Sequence, residues 1–243
     1  MITRILVGED NKYYFQRDNK DVSTHKGLVS AQAVNDASDG AVLTSNTGYT
    51  FTVITPTFLD HYKRLERGPQ LMTLKDLGVI AAETGMGHES VVGDAGTGTG
   101  AAAIYFARIA RHVHSYDIVQ AHHELGVRNA AALAMTNITF SMHDVYESIP
   151  NEAFDVFVLD NPEPWNALKS YTSLKIGGWF VAYLPSINQT ANFANAVQEH
   201  GCFEYKKTIE LIEREWAIKG MRVRPSSDAI GHTAFLVFAR RIR

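Results

Sequence analysis

The sequence reads Val91-Val92-Gly93-Asp94-Ala95-Gly96-Thr97-Gly98-Thr99-Gly100 where a short apolar run meets three alternating glycines. An Ala-rich stretch of helical length, residues 101–110, follows directly. Glycine permits positive φ angles and a close approach of the backbone to a ligand. A strand, a Gly-rich turn and a helix in this order are typical of adenosine-cofactor sites, so the segment predicts the first βαβ unit of a nucleotide-binding fold.

Strands and helices alternate beyond this turn. The apolar runs that predict strands are Ser90–Gly93, Val113–Tyr116, Ile138–Ser141, Phe154–Leu159 and Trp179–Tyr183. The segments of helix length are 101–110, 120–134, 166–174 and 190–200. Such alternation implies right-handed crossovers and a mostly parallel sheet covered on both faces, which is a Rossmann-like α/β fold. Residues 205–213 and 233–239 look like strands without a crossover helix between them, which predicts an antiparallel hairpin at the sheet edge.

The first 55 residues have a different pattern, in which short β-branched or aromatic runs alternate with polar turns. These strand candidates are residues 4–7, 12–15, 40–44 and 49–54. Helical spacing begins afterwards, at 57–67 and 75–82. We therefore expect a small N-terminal β domain, residues 1–55, and a Rossmann-like domain over residues 56–243.

The composition is that of a soluble globular protein, with 243 residues of which 45% are hydrophobic and 20% charged. The single cysteine, Cys202, excludes an intramolecular disulfide and any zinc site built on paired cysteines. We also expect no other metal site. No apolar run is long enough to span a membrane, and the N-terminus lacks the apolar core of a signal peptide. These features favour a cytoplasmic protein with no membrane association.

Charge is unevenly distributed along the chain, whose net charge is −3. Residues 81–202 contain 5 Lys and Arg against 12 Asp and Glu, whereas residues 203–243 contain 9 against 5. Because an acidic chain is not a typical nucleic-acid binder, any such partner would have to meet local basic patches.

Acidic residues follow three successive predicted strands. Asp94 precedes Gly96 by two positions. The glycines alone are compatible with either NAD or S-adenosylmethionine. A carboxylate at this position suits the ammonium group of S-adenosylmethionine better than the pyrophosphate of NAD. Asp117 lies 23 residues further on, near the spacing at which a carboxylate binds ribose hydroxyls. Asp144 could accept a hydrogen bond from an adenine amino group. Together they predict the rim of a cofactor pocket.

The fourth strand ends in Leu159-Asp160-Asn161-Pro162-Glu163-Pro164-Trp165, in the crevice where such folds bind substrates. The prolines would hold Asp160 at a fixed angle. The next strand ends at Tyr183, which offers an aromatic face beside that loop for a flat heterocycle.

In addition to these features, the chain carries blocks that resemble the tRNA (adenine-N1) methyltransferases that modify adenosine 58 of the T-loop, most closely the archaeal and bacterial homotetrameric members. The matching blocks run in order from about residue 50 to the C-terminus. They are Pro56-Thr57 with Asp60 and Tyr62, Arg67 with Gln70, Lys75-Asp76, the Gly-rich turn, Tyr116-Asp117, Asp144 to Glu147, Asp160 to Trp165, Gly177-Gly178 before Tyr183, Asn188-Gln189, Arg214-Glu215-Trp216, Arg222 to Pro225 and Gly231 to Phe235.

The resemblance implies a class I methyltransferase fold with S-adenosylmethionine as the cofactor, and assigns roles to individual residues. The cofactor set is Asp94, Ala95, Gly96, Thr97, Gly98, Gly100, Asp117, His122, Asp144, Val145 and Asp160. Asp160 matches the proposed catalytic aspartate, and Tyr183 is the candidate partner for the target base. Arg214, Arg222 and Arg224 would contact tRNA, and the assembly would be a homotetramer.

The chain departs from the family pattern at two points. Thr73-Leu74 replaces the usual Tyr-Pro before Lys75, and Asp94 stands where Glu is common. Two other functions stay open: methylation of a different acceptor, and a silent tRNA-binding subunit. The arginine blocks argue against the first, and the intact glycines with Asp160 argue against the second.

Overall fold

The computed structural model describes residues 2–69, 71–150, 153–227 and 231–243. The chain forms two compact units, Met1–Leu65 and Glu66–Arg243. Gln70, which belongs to one of the matching blocks, lies outside the described residues.

The first unit is built on a four-stranded antiparallel sheet. Its elements are β1 (Ile2–Gly8), β2 (Tyr13–Arg17), β3 (Val22–Thr24), β4 (Gly27–Val29), α1 (Ala31–Asp36), β5 (Val42–Thr44), β6 (Thr50–Ile54) and α2 (Phe58–Tyr62). The strand order in the main sheet is β2-β1-β6-β5, and β3 and β4 form a separate hairpin. Alternate side chains point to one face, where Leu6 and Phe51 pack with Val22, Val29 and Val34 to form a small core.

The boundary between the units lies ten residues beyond the expected one. Helix α2 ends at Tyr62 instead of continuing to residue 67, so the second half of that helix prediction is wrong. Residues 63–65 form a turn and a bend in which the Arg64 guanidinium stacks on the Phe15 ring of β2, 3.6 Å from its centroid. This cation–π contact belongs to the first unit, which therefore includes residues 56–65.

The second unit contains the alternating strands and helices of the α/β fold and one further hairpin. They are α3 (Leu74–Thr84), β7 (Val91–Ala95), α4 (Ala101–Ala107), β8 (His112–Asp117), α5 (Gln120–Ala132), β9 (Ile138–Met142), β10 (Phe154–Leu159), a 3₁₀ segment (Pro164–Ser173), β11 (Leu174–Leu184), α6 (Ile187–His200), β12 (Phe203–Glu210), β13 (Trp216–Lys219), β14 (Arg222–Pro225) and β15 (Phe235–Arg241). None of the described helices combines the length and the apolarity needed to cross a membrane.

The seven-stranded sheet has the order β12-β15-β11-β10-β7-β8-β9. Strands β7 to β11 are parallel, whereas β15 runs antiparallel to both β11 and β12. The predicted Rossmann-like fold and its antiparallel edge are thus confirmed. The chain leaves β7 toward β8 and β9 and returns to β10 on the other side of β7, so a crevice opens at the carboxyl ends of β7 and β10.

Two segments differ from the sequence-based prediction. The sequence predicts a helix over 166–174, but residues 166–173 lie in the 3₁₀ segment and Leu174 begins β11. Ser170 has non-helical φ and ψ angles, and its hydroxyl accepts a hydrogen bond from the Ile149 N–H. The hairpin of β13 and β14 was not predicted. It emerges between Glu210 and Phe235, which pair with each other at the level of Leu184, the carboxyl end of β11.

Candidate active site

The Gly-rich turn connects β7 to α4 at the edge of the crevice. Gly98 and Gly100 have φ angles of +52° and +77°, which residues other than glycine rarely adopt. A Cβ atom at Gly100 would lie 2.8 Å from the Cα of Gly126 in α5. The absence of side chains at Gly100 and Gly126 therefore lets α5 pack directly against the turn.

A pocket of about 300 Å³ opens over this turn. Its lining combines residues of the turn and of the start of α4 with two acidic residues, one histidine and three apolar residues that precede α3. The lining residues are Pro69, Leu71, Met72, Gly96, Thr97, Gly98, Thr99, Ala101, Ala102, Asp117, His122 and Asp160. The apolar segment was missed at the sequence level, because nothing in its composition distinguishes it from a linker.

Asp94 lies behind the pocket wall and is wholly buried. Ser115 donates a hydrogen bond of 2.7 Å to its Oδ2, whereas Oδ1 has no partner among the described residues. Burial, with the nearby Asp160 and Asp117 carboxylates, raises the pKa of Asp94 to about 8 against the opposing effect of the Ser115 hydrogen bond. A buried, unpartnered carboxylate oxygen close to two other acids is suited to a cationic ligand and unsuited to a pyrophosphate.

Asp117, at the end of β8, is held by backbone donors. Its Oδ2 accepts from the Gly98 N–H at 3.0 Å, and its Oδ1 accepts from the Val119 N–H at 2.8 Å. The Nδ1 of His122 lies 3.3 Å from the same Oδ2. The carboxylate is therefore fixed against the Gly-rich turn, where both side chains line the pocket.

Asp144 and Val145 follow β9, and neither is part of the pocket lining. The Asp144 Oδ1 accepts from the Tyr146 N–H at 2.8 Å, which forms a local turn, and Val145 is buried. Their predicted contact with the cofactor adenine stays a prediction.

Asp160 lines the pocket directly after β10. Its N–H donates to the Ala95 carbonyl of β7, and burial raises the pKa of its carboxyl group to about 7. The loop that follows is fixed at two points: Gln189 Nε2 donates to the Pro162 carbonyl at 2.9 Å, and the Glu163 N–H donates to the Tyr146 hydroxyl at 2.8 Å. A fixed loop holds the carboxylate in one orientation.

Tyr183 lies at the end of β11 and is only 8% exposed. Its hydroxyl donates to Asp76 at 3.4 Å, and burial together with the Asp76 and Asp160 charges raises its pKa. It adjoins Asp160 but is not part of the pocket lining. Its predicted contact with a target base stays a prediction.

The three predicted tRNA contacts, Arg214, Arg222 and Arg224, are exposed and lie outside the pocket. Arg222 and Arg224 are on β14, and Arg214 precedes β13. Among the described residues there is also no group of three or more His, Cys, Asp and Glu side chains that could hold a metal ion.

The fold and this pocket define a class I S-adenosylmethionine-dependent methyltransferase. The chain belongs to the family described as the tRNA methyltransferase complex GCD14 subunit, whose sequence profile matches residues 50–224.

Two curated relatives cover most of the chain. The tRNA (adenine(57)-N(1)/adenine(58)-N(1))-methyltransferase TrmI of Methanocaldococcus jannaschii is 30% identical over 98% of this chain and 94% of its own. The tRNA (adenine(58)-N(1))-methyltransferase TrmI of Thermus thermophilus is 31% identical over 89% of this chain and 87% of its own. Among solved structures, an S-adenosylmethionine-dependent O-methyltransferase of Thermotoga maritima superposes with a TM-score of 0.87 at 24% identity, over 100% of this chain and 93% of its own. That likeness concerns the fold alone.

Proposed function

We propose that this protein methylates N1 of adenosine 58 in the T-loop of tRNA, with S-adenosylmethionine as the methyl donor. The observation that carries the proposal is the position of Asp160, a half-buried residue whose carboxylate lies in the wall of a pocket formed by the Gly-rich turn. Curated relatives with this activity, which match nearly the whole chain, give the target nucleotide.

The cofactor residues fit the donor. Bound S-adenosylmethionine supplies an electrophilic methyl group on a sulfonium. Asp94 has a free, buried Oδ1 for an ammonium group, and Asp117 is held at the pocket wall by the Gly98 and Val119 N–H groups. The acids at 94, 117 and 160 together favour a ligand that brings positive charge.

Asp160 orients the acceptor and stabilises its charge. Adenine N1 carries an in-plane lone pair and needs no deprotonation, but its ring becomes cationic as the methyl group is transferred. A carboxylate that accepts a hydrogen bond from the N6 amino group aligns N1 and stabilises the developing charge. Because N1 lies on the Watson–Crick edge, the base must be extruded from the tRNA fold to enter the pocket.

Methylation of unmodified tRNA tests the proposed function. We expect 1-methyladenosine to form in the T-loop when the protein is incubated with the tRNA and S-adenosylmethionine, as detected by mass spectrometry of nucleoside fragments. A tRNA with guanosine at position 58 is the control. Product at adenosine 57 in that control would show the dual specificity named for the Methanocaldococcus relative, and no product in either tRNA would contradict the proposal.

The hairpin of β13 and β14 supplies the proposed contact with tRNA. Its register places Lys219, Arg222 and Arg224 on one face, and Trp216, Ile218, Val223 and Pro225 on the other. All seven side chains are exposed. The basic face suits phosphates, and the apolar face suits contact with another protomer of a homotetramer. Because the hairpin emerges at the level of Leu184, it lies at the same end of the sheet as Asp160, where the parallel strands have their carboxyl ends.

Replacing Arg222 or Arg224 with alanine is expected to weaken tRNA binding and to reduce its dependence on salt. Each phosphate contact contributes a slope of roughly −0.9 to the plot of log K against log salt in duplex regions. Binding is measured over a salt series for the wild type and each variant. The control is Arg111→Ala, which replaces an exposed arginine before β8, at the opposite end of the sheet. An unchanged slope in both hairpin variants would remove the hairpin from the interface.

A further inference from the structure

A buried polar cluster lies between the start of α3 and the ends of β11 and β15. Its centre is Asp76, whose side chain is fully buried. Lys75 Nζ contacts Oδ1 at 2.7 Å, while the Thr73 and Thr233 hydroxyls each donate to Oδ2 at 2.8 Å. The fourth donor is the Tyr183 hydroxyl, at 3.4 Å from the same Oδ2.

The cluster joins residues that are far apart in sequence. Tyr183 is 107 positions from Asp76, and Thr233 is 157 positions away. Lys75 Nζ also donates to the Thr233 hydroxyl at 2.7 Å, which closes the network. Burying a carboxylate and an ammonium rarely gains stability over apolar packing of the same volume, so a structural role alone is a weak explanation for this cluster.

The register of the sheet places this cluster next to the proposed catalytic aspartate. Ala182 of β11 pairs with Leu159 of β10, and the next residues along the two parallel strands are Tyr183 and Asp160. Neighbouring strands lie about 4.8 Å apart, and paired residues of parallel strands point to the same face. The Tyr183 ring therefore lies beside Asp160, with its hydroxyl directed to Asp76.

From this arrangement we infer that Asp76 is a positioning residue that holds Tyr183 beside Asp160, and that the cluster thereby sets the geometry of the acceptor base. The inference rests on the proposed function. Asp76 does not touch the pocket and acts only through the tyrosine hydroxyl. Thr73, which stands where the family usually has a tyrosine, belongs to the same cluster, because its hydroxyl donates to Asp76.

Two single variants and their combination test this role in the full-length protein. We expect Asp76→Asn and Tyr183→Phe each to lower kcat for tRNA by about tenfold to a hundredfold, because a displacement of about 1 Å in an active site has effects of that size. The dissociation constant for S-adenosylmethionine should stay within about threefold in both. Tyr183→Phe removes the hydrogen bond between the two side chains, and Asp76→Asn weakens it by removing the charge of the acceptor. Because Asp76 acts only through this bond, the double variant should be no slower than the slower single variant.

Additive losses in the double variant would overturn the inference, because they would show that Asp76 acts independently of the tyrosine. Thr84→Val is the matched control: it removes a partly buried hydrogen bond, from the hydroxyl to the Ile80 carbonyl at 2.8 Å, at the far end of the same helix. It should lower the melting temperature without lowering kcat. If Asp76→Asn does not fold, Thr233→Val loosens the cluster more mildly and should still lower kcat; an unchanged kcat would overturn the inference. A wild-type protein inactive on tRNA would instead contradict the proposed function.

Discussion

Replacing Asp160 with alanine or asparagine is expected to reduce the rate of methyl transfer by about 100-fold or more, which is typical for loss of one preorganised electrostatic group. In the proposed function this carboxylate acts on the acceptor base, so the affinity for S-adenosylmethionine should change much less. Single-turnover assays on tRNA measure the first effect, and calorimetric titration of the cofactor measures the second. The asparagine variant keeps the shape of the side chain and removes only its charge.

The pH dependence of the reaction provides a second measure of the same role. Burial raises the pKa of Asp160 to about 7, and the ionised form is the one that stabilises a cationic ring. The wild-type rate should therefore rise with pH through about 7, and this rise should be absent from the residual rate of Asp160→Asn. Glu163→Gln, an exposed change in the same loop, is the control and should keep the wild-type profile. Near wild-type turnover in Asp160→Ala would remove Asp160 from the mechanism.

Much of the α/β unit was predictable because its strands are buried on both faces. Apolar runs such as Phe154–Leu159 are then read directly as parallel strands. The glycines at 98 and 100 were equally informative, since their positive φ angles are required by the turn. The hairpin of β13 and β14 lacks buried residues. The feature of the sequence that indicates this hairpin is the alternation of apolar and basic side chains on both sides of Gly220.

The candidate site was predicted in part for a similar reason. Asp94 and Asp117 lie at the carboxyl ends of buried strands and Asp160 comes directly after one, so the strand pattern alone brings them to the same end of the sheet. The surroundings of Asp76 depend on contacts with Tyr183 and Thr233, and these contacts exist only after β11 and β15 have paired. Sequence spacing carries no information on such long-range hydrogen bonds.

Asp94 is the residue for which stability and binding should change in opposite directions. Burial raises its pKa to about 8 in the folded protein without cofactor, against roughly 3.9 in an unfolded chain. The folded state thus binds a proton that the unfolded state releases between these two values. The carboxyl group therefore destabilises the fold increasingly as pH rises from about 4 to 8, and its full cost, on the order of several kcal/mol, is reached above pH 8.

Replacing Asp94 with asparagine is therefore expected to raise the melting temperature of the cofactor-free protein at pH 9 and to leave it nearly unchanged at pH 4.5. The Ser115 hydroxyl can still donate to the amide oxygen, so the local packing is kept. Binding of S-adenosylmethionine should weaken by about 100-fold, because a charge-assisted hydrogen bond to a buried partner is lost. Thermal unfolding at both pH values and calorimetric titration measure the two effects.

In the control Asp155→Asn, which weakens contacts to the Val91 N–H and Lys175 at the other end of the sheet, stability should fall and cofactor affinity should not change. A less stable Asp94→Asn protein at pH 9, or one that binds the cofactor normally, would show that the buried carboxylate serves the fold and not the ligand.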